Sequence, residues 1–357
     1  MFAKLPPNFF RTVRFSSRFF SLSLILVLAI SCEVEFNPNI ISTPTPVIYG
    51  IIHPQDSIYS VRLTKTFIGP GSAYVFARIA DSIYYKGAHV YLETRTTAGK
   101  LVEKVELTET EIGDRLPGIF AQAPNIVYQT DASKFHIRPE YFDSLGQEYN
   151  LTLNLIAEIP GFTTPVKAST RLRAIPKITE PRFTFVKVYF YSEEPYWMQW
   201  MNTDEESMFE ILVRMRYKDI YYDDEQDRVA EWVLTGIDAN ETSFPGGTRK
   251  VYSYYFRPEN FYSQVRAAIQ EDPEVEVRVV KDIDFEILST NREMGFYRDI
   301  YEISDDYRGT GFSNIENGIG LFTTYSSAGI YGLQLGQTEI DSLALGRYTK
   351  HLGFTRW

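Results

Sequence analysis

The stretch YNLTLNL, residues 149–155, alternates without a fault. Tyr149, Leu151, Leu153 and Leu155 fall on one side, and Asn150, Thr152 and Asn154 on the other. Successive side chains of a β-strand point to opposite faces, so this pattern predicts a strand with one face buried. SIYSVRLTKTF (57–67) and KVELTE (104–109) repeat the period less cleanly. TTAGK (96–100) reads as a hairpin turn carried by Gly99. Short strands separated by turns predict a β-sandwich, assigned to residues 47–173.

Further along, AIPKITEPR (174–182) places two prolines within six residues, the mark of a domain boundary. FTFVKVYFY (183–191) reads as a strand with aromatic residues at alternate positions. FEILVRMRYKDIYY (209–222) sets Ile211, Val213, Met215 and Tyr217 opposite Leu212, Arg214, Arg216 and Lys218. DDEQD (223–227) then turns the chain into RVAEWVLTGI. PENFYSQVRAAIQ (258–270) predicts a helix. Proline opens it, and Phe261, Val265, Ala268 and Ile269 share one face. PEVEVRVV (273–280) returns to strand, whereas DFEILSTNREM (284–294) suits helix or strand equally. The expected fold is mainly β: a sandwich followed by a β-rich domain, residues 174–357, with one or two helices.

The N-terminus has a different character. Lys4, Arg11, Arg14 and Arg18 precede the apolar run Phe19–Ile30, and small Ala29 and Ser31 flank Ile30 just before Cys32. A positive start, an apolar centre and a small-residue site predict a signal peptide over residues 1–31. The run is too short for a membrane span, which needs about 20 apolar residues. A cysteine at this point resembles a bacterial lipobox, although Ala29 stands where that pattern more often has leucine. The resemblance implies a diacylglyceryl group on the sulfur of Cys32, cleavage before it, and acylation of the new amine. Two or three acyl chains anchor a protein stably where one does not.

Residues 32–46 read as the lipidated cysteine and an extended tether, with prolines at 38, 44 and 46. In polyproline form the tether reaches about 40 Å. Acidic Glu33 and Glu35 follow the cysteine. In lipoproteins of this kind such residues accompany export to the outer face of the outer membrane, and their alternative role is solubility of the tether.

Charge excludes some partners. The chain has 36 Lys and Arg against 46 Asp and Glu, a net of −10. Removing residues 1–31 takes away four basic residues and no acidic one, which leaves 32 against 46, or −14. Nucleic acid demands a basic face, and anionic lipid a polybasic patch. Cys32 is the single cysteine, so the mature chain forms no internal disulfide and rests on its apolar core.

Two stretches carry a family resemblance. GAHVYL (87–92), Gly99, LTET (107–110), GIF (118–120) and YNLTL (149–153) resemble the transthyretin-like or carboxypeptidase-regulatory-like Ig fold. NIENGIGLF (314–322) resembles a pattern near the C-terminus of an uncharacterised outer-membrane lipoprotein family. The genes of that family lie beside TonB-dependent transporters. The order here agrees with it over nearly the whole chain. The departures are a longer connection at 68–86 and a tail beyond Phe322. The resemblance implies a surface lipoprotein, anchored in outer-membrane lipid through Cys32, that serves a TonB-dependent barrel as a substrate-binding or pore-covering accessory. The alternative is a structural or docking subunit of an assembly or secretion complex.

Catalytic motifs are missing from the sequence. His53, His89, His136 and His351 are far apart and show no HExxH spacing. GFSNI (311–315) lacks the second glycine of a nucleophile elbow, and no phosphate loop occurs. DDEQD lacks the ligand spacing of a calcium loop, and the adjacent Glu205 and Glu206 carry no information. The expectation is a non-enzymatic protein with no metal and no cofactor beyond the lipid. A hydrolase lacks any motif, although a triad assembled in space is invisible in a sequence. Two groups remain as candidates for contact. Asn314, Asn317, Gly318, Gly320 and Phe322 form either a turn that seats a strand or a docking loop. Tyr196, Trp197 and Trp200 either pack a sheet or meet a partner.

Overall fold

The computed structural model describes residues 43–67, 72–113, 115, 117–137, 141–142, 148–149, 151–182, 187–190, 196–202, 208–235, 237, 240–243, 250–296 and 312–356. The chain divides into two compact units. One comprises Met1–Thr43 and Ile68–Gly71, of which Thr43 alone is among the described residues. The other, Pro44–Phe67 with Ser72–Trp357, contains everything that follows.

The fold is mainly β. Its first strands are β1 (Pro46–Ile52), β2 (Ile58–Lys65), β3 (His89–Thr96), β4 (Leu101–Ile112) and β5 (Asn125–Asp131). The short pair β6 (Tyr141–Phe142) and β7 (Glu148–Tyr149) leads to β8 (Leu151–Glu158), β9 (Val166–Arg171) and β10 (Lys177–Glu180). β11 (Trp197–Asn202), β12 (Met208–Ile220), β13 (Glu225–Leu234), β14 (Asn240–Ser243) and β15 (Lys250–Tyr255) follow. The last are β16 (Val277–Thr290), β17 (Ile315–Glu316) and β18 (Ile319–Leu333). Twelve of them form one sheet in the order β13-β12-β16-β18-β1-β2-β5-β4-β3-β8-β9-β17. A second sheet runs β10-β11-β15-β14.

One pairing organises the large sheet. β18 lies parallel to β1 over its first half, with Val47 opposite Ile319 and Ile52 opposite Thr324. Over its second half it lies antiparallel to β16, with Thr290 opposite Tyr325. β18 therefore belongs to both halves of the sheet. Only Asn317 and Gly318 separate it from β17, which pairs with β9 at the far end. The strands from β18 round to β17 thus return to the same point of the chain, in a sandwich-like wrap about one apolar core. Leu151, Leu153 and Leu155 of β8 fill that core, together with Ile48, Val61, Leu92 and Phe322.

A second core gathers on one face of β12 and β16. Ile211, Val213, Met215 and Tyr217 point into it, as do Ile283, Phe285 and Ile287. The helix Pro258–Ala268 covers it with Phe261, Tyr262 and Val265, and carries proline in its first turn. The tail past Phe322 adds a helix, Gln337–Leu345, whose Leu343 is buried, and then Leu352 and Phe354. Buried Arg278 secures the end of the chain: its Nε donates to Asp219 Oδ1 at 2.8 Å and its Nη1 to the carbonyl of Leu352 at 2.6 Å.

A buried polar junction connects the two cores. Asn291 Oδ1 accepts from Arg173 Nε at 2.6 Å. Asn291 Nδ2 donates to the carbonyl of Thr324 at 2.9 Å and to the carbonyl of Arg171 at 3.1 Å. Ser326 Oγ donates to the carbonyl of Arg173 at 2.6 Å. Buried polar groups persist where each finds partners, and this set links residues 171–173 to Asn291 and β18.

Several expectations shift on inspection. FTFVKVYFY is no strand among its described residues: Val188 makes a single parallel bridge to Leu335, and the Phe190 amide donates to Glu339 Oε1 at 2.8 Å. Its aromatic alternation records burial of Phe190 rather than ladder pairing. The turn expected at DDEQD lies slightly earlier, where the Tyr221 amide donates to the carbonyl of Asp224, and Glu225–Asp227 already belong to β13. DFEILSTNREM is strand to Thr290 and helical from 292. The connection at 68–86 holds two short helices, Ala73–Phe76 and Ala80–Ile83.

Candidate functional site

The second half of β18 carries Tyr325, Ser327, Gly329 and Tyr331 on one face, because every second residue of a strand shares a side. β16 sets Glu286, Leu288 and Thr290 beside them. β12 continues with Glu210, Leu212 and Arg214, and β13 with Val233. This is the face opposite the second core. The turn after β1 brings in His53, and the Asp56 amide donates to the carbonyl of His53 at 3.0 Å, folding Asp56 back over the ring. Tyr325 and Tyr331, with His53, Asp56 and the named residues of β12, β13 and β16, line a cleft of about 530 Å³. Gly329 supplies room: a β-carbon there would lie 2.5 Å from the hydroxyl end of Tyr331, whose ring leans across it.

A chain of polar contacts runs along the cleft. Arg214 Nη1 donates to Glu286 Oε2 at 2.8 Å, and its Nε to Glu231 Oε2 at 2.7 Å. Ser327 Oγ donates to Glu286 Oε1 at 2.6 Å and lies 3.1 Å from His53 Nε2. His53 Nδ1 lies 3.2 Å from Asp56 Oδ1. The His53 ring also stacks on Tyr325, with centroids 4.5 Å apart and planes 8° from parallel.

Ser327, His53 and Asp56 have the composition of a nucleophile triad without its wiring. A hydroxyl has one proton, and Ser327 donates it to the Glu286 carboxylate; the role of His53 Nε2 in its contact with Ser327 follows from which ring nitrogen carries the proton. A nucleophile needs its hydroxyl proton directed to the imidazole, whereas the Ser327 hydroxyl donates to Glu286. Ser327 is moreover buried beneath the residues that line the cleft. The relay holds His53 and Glu286 in place as walls.

The electrostatics are acidic. The hydroxyl of Tyr325 is pushed up first by burial and then by the Asp56 and Glu286 carboxylates, with Arg214 opposing. Tyr331 is raised by burial and then by Glu286, again against Arg214. For Arg214 itself, burial disfavours the charge, and the carboxylates of Glu231 and Glu286 outweigh it and raise the guanidinium.

The residues singled out in the sequence lie elsewhere. Cys32, Glu33 and Glu35 fall outside the described residues. Asn314–Phe322 forms the β17–β18 turn. Asn314 Oδ1 accepts from the Phe322 amide at 2.9 Å, and its Nδ2 donates to the Phe322 carbonyl at 2.7 Å. Asn317 takes φ 60° and donates from Nδ2 to the carbonyl of Pro165 at 2.9 Å. Gly318 faces the carbonyl of Pro46, and Gly320 presses on Ile48. Tyr196 and Trp200 are buried in the second core, whereas Trp197 is partly exposed and stacks on Tyr255.

Asn314 and Glu316 border another cleft, of 510 Å³, whose Glu93 and Glu316 are balanced by Arg95 and Lys167. The His53 cleft differs in its aromatic walls and acid excess. Its residues come from five places in the chain, with Ser327 and His53 274 positions apart, so no local pattern announces them. Among the described residues no group of three or more His, Cys, Asp or Glu has the arrangement of a metal site. Nor is any helix there long and apolar enough to cross a membrane. No protein-family model matches the chain, and no curated protein matches it.

Proposed function

We propose that this chain is a lipid-anchored lipoprotein of the outer membrane, facing the cell exterior, that serves a TonB-dependent transporter as a substrate-binding accessory. The observation that carries the reading is Cys32, placed directly after a basic start and the apolar run Phe19–Ile30. Acyl chains on that sulfur hold the protein at the bilayer at about 0.8 kcal/mol per buried CH₂. The prolines that follow it give the body reach away from the head groups. The resemblance of NIENGIGLF to lipoproteins encoded beside such transporters supports the choice of partner. The His53 cleft supplies a binding site of suitable size: small-molecule sites are concave, mainly apolar, and carry a few fixed polar groups. Binding, without a chemical step, suits a cleft whose one hydroxyl–imidazole contact is wired away from nucleophilic attack.

The test is affinity purification of the tagged full chain from its own membranes in mild detergent, with mass spectrometry of the eluate. The expected result is a TonB-dependent barrel in stoichiometric amount, together with a Cys32→Ala variant released from the membrane fraction. Recovery of assembly or secretion components in place of the barrel would move the protein to a docking role. A Cys32→Ala variant that stays membrane-bound would remove the anchor from the reading.

A further inference from the structure

We infer that an apolar tip at one end of the large sheet dips into the bilayer that holds the acyl chains of Cys32, so that the body rests on the lipid surface through a second contact. The inference rests on the reading of Cys32 as a lipid anchor, and names what the anchored body touches.

The tip comes from two connections. One follows β2, where the short helix Ala73–Phe76 carries Tyr74 and Val75, with Ile79 just beyond it. The other joins β4 to β5 and carries Ile119 and Phe120. All five side chains are between 46% and 65% exposed. The Ala121 amide donates to the carbonyl of Ala77 at 2.8 Å and so joins the two connections. Register places both at one end of the sheet. Lys65, at the end of β2, lies opposite Pro46, at the start of β1. Asn125, at the start of β5, lies opposite Ile112, at the end of β4, and its Oδ1 accepts from Arg62 Nη1 of β2 at 2.8 Å.

Three features select lipid. The first is where the chain enters. Tyr85 Oη donates to the carbonyl of Pro44 at 2.9 Å, and the Thr66 amide to the carbonyl of Thr45 at 2.9 Å. Phe67, the next residue, sets its ring 6.2 Å from that of Phe76, on the helix that carries Tyr74 and Val75. The body thus begins beside the tip. Cys32 stands 12 positions before Pro44, a reach of about 37 Å in polyproline form. An anchored body therefore has this end nearest its anchor. The second feature is charge. Residues 72–80 and 117–122 contain a single charged side chain, Arg78, in a chain of net −10. Entry among head groups desolvates no carboxylate here, and the contact, being apolar, needs no polybasic patch. The third is residue type. Single exposed apolar side chains are ordinary, but five on two joined connections make a patch. Tyrosine, phenylalanine and isoleucine suit the boundary between head groups and acyl chains, where a ring is buried and a hydroxyl stays wet.

Site-directed fluorescence of the acylated full chain on phosphatidylcholine vesicles tests this. An acylated Cys32 sulfur takes no thiol label, so Tyr74→Cys, Ile119→Cys and a control, Tyr222→Cys, each offer one site for a fluorophore. Tyr222 is 85% exposed in the β12–β13 turn. That turn lies at the opposite end of the sheet, because Ile220 pairs with Val277 at the start of β16, and β16 runs antiparallel to β18. Binding to vesicles is expected to reduce iodide quenching of the labels at positions 74 and 119 by at least about twofold. Spin-labelled lipids are expected to place both labels about 5–10 Å below the head-group surface. The control label stays open to iodide. Unchanged iodide quenching at both positions on vesicle-bound protein would overturn the inference, as would an equal loss at the control. Protection that appears only when outer-membrane proteins are added to the vesicles would give the tip to a protein partner and overturn it too. Label taken up by the wild type would reveal a free Cys32 and remove the anchor, a failure read separately from that of the tip.

Discussion

Gly320→Ala should cost far more stability than Gly99→Ala, although both glycines have positive φ. Gly320 sits at φ 122° in β18, where it pairs with Ile48 of the parallel strand β1. A β-carbon there would lie 1.9 Å from the Ile48 carbonyl oxygen and 2.9 Å from its carbon. These are backbone atoms, and no rotamer change relieves the overlap. Relief requires the two strands to separate, which breaks part of the parallel ladder and loosens Phe322 two residues on. Backbone strain at such a φ costs about 1–3 kcal/mol. Two or three lost ladder hydrogen bonds add about 1 kcal/mol each. The sum, about 3–6 kcal/mol, is a large share of the roughly 5–15 kcal/mol that holds a domain folded. Gly99 has φ 83° in the exposed β3–β4 hairpin, and a β-carbon there meets nothing within 4 Å. Only the left-handed backbone opposes alanine at that site, at about 1–2 kcal/mol. Urea unfolding of wild type and both variants, compared at a common m-value, measures the difference. A Gly320→Ala variant within about 1 kcal/mol of Gly99→Ala would refute the reasoning, because the close approach of β1 and β18 would then carry no energy of its own.

Other substitutions probe other parts. Asn291→Ala removes a buried acceptor of Arg173 and a donor to the carbonyls of Arg171 and Thr324, and is expected to cost about 3 kcal/mol in urea unfolding. Trp200 is 0% exposed and contacts Phe209 and Tyr252, so Trp200→Ala is expected to cost about 3–5 kcal/mol. Glu93 is buried on β3. Burial raises its carboxyl, and hydrogen bonds and charge from Arg95 and Lys104 outweigh that and hold it below the usual range. A depressed folded pKa contributes stability above the unfolded value, and this is lost as pH falls through the folded one. Glu93→Gln should therefore flatten the acid limb of the stability curve below about pH 4.3, as measured by urea midpoints across that range.

Where one face of an element is buried and the other wet, its period was legible. Leu151, Leu153 and Leu155 declared β8 at once, and all three lie in the core. Ile211, Val213 and Met215 did the same for β12, and Pro258 with Phe261 and Val265 for the helix. DFEILSTNREM resisted because both its faces carry apolar residues. Phe285 and Ile287 enter the core while Leu288 lines the cleft, which blurs the period. FTFVKVYFY misled for the opposite reason, since its alternation came without a neighbouring strand along its described residues. The parallel pairing of β1 with β18 joins the two ends of the folded body and leaves no local trace. The cleft depends on that pairing, since it sets the turn at His53 beside Tyr325 and Ser327. Its residues are visible in the sequence as types, and His53 is one of four histidines that lie far apart along the chain. Their convergence is a property of the sheet order alone.

The place of β18 in the sheet also sets a timetable. The core built from residues 48–172 borrows Ile315 and Phe322 from near the end of the chain. During synthesis that core stays open until residues 315–322 have emerged, since they supply its missing wall. A chain with contacts this distant in sequence folds slowly. An excised segment ending near residue 173 would lack the wall altogether, and the body folds as one unit or leaves its first half gaping. Closure of this core is thus a late event: nothing locks until residues 315–322 have arrived.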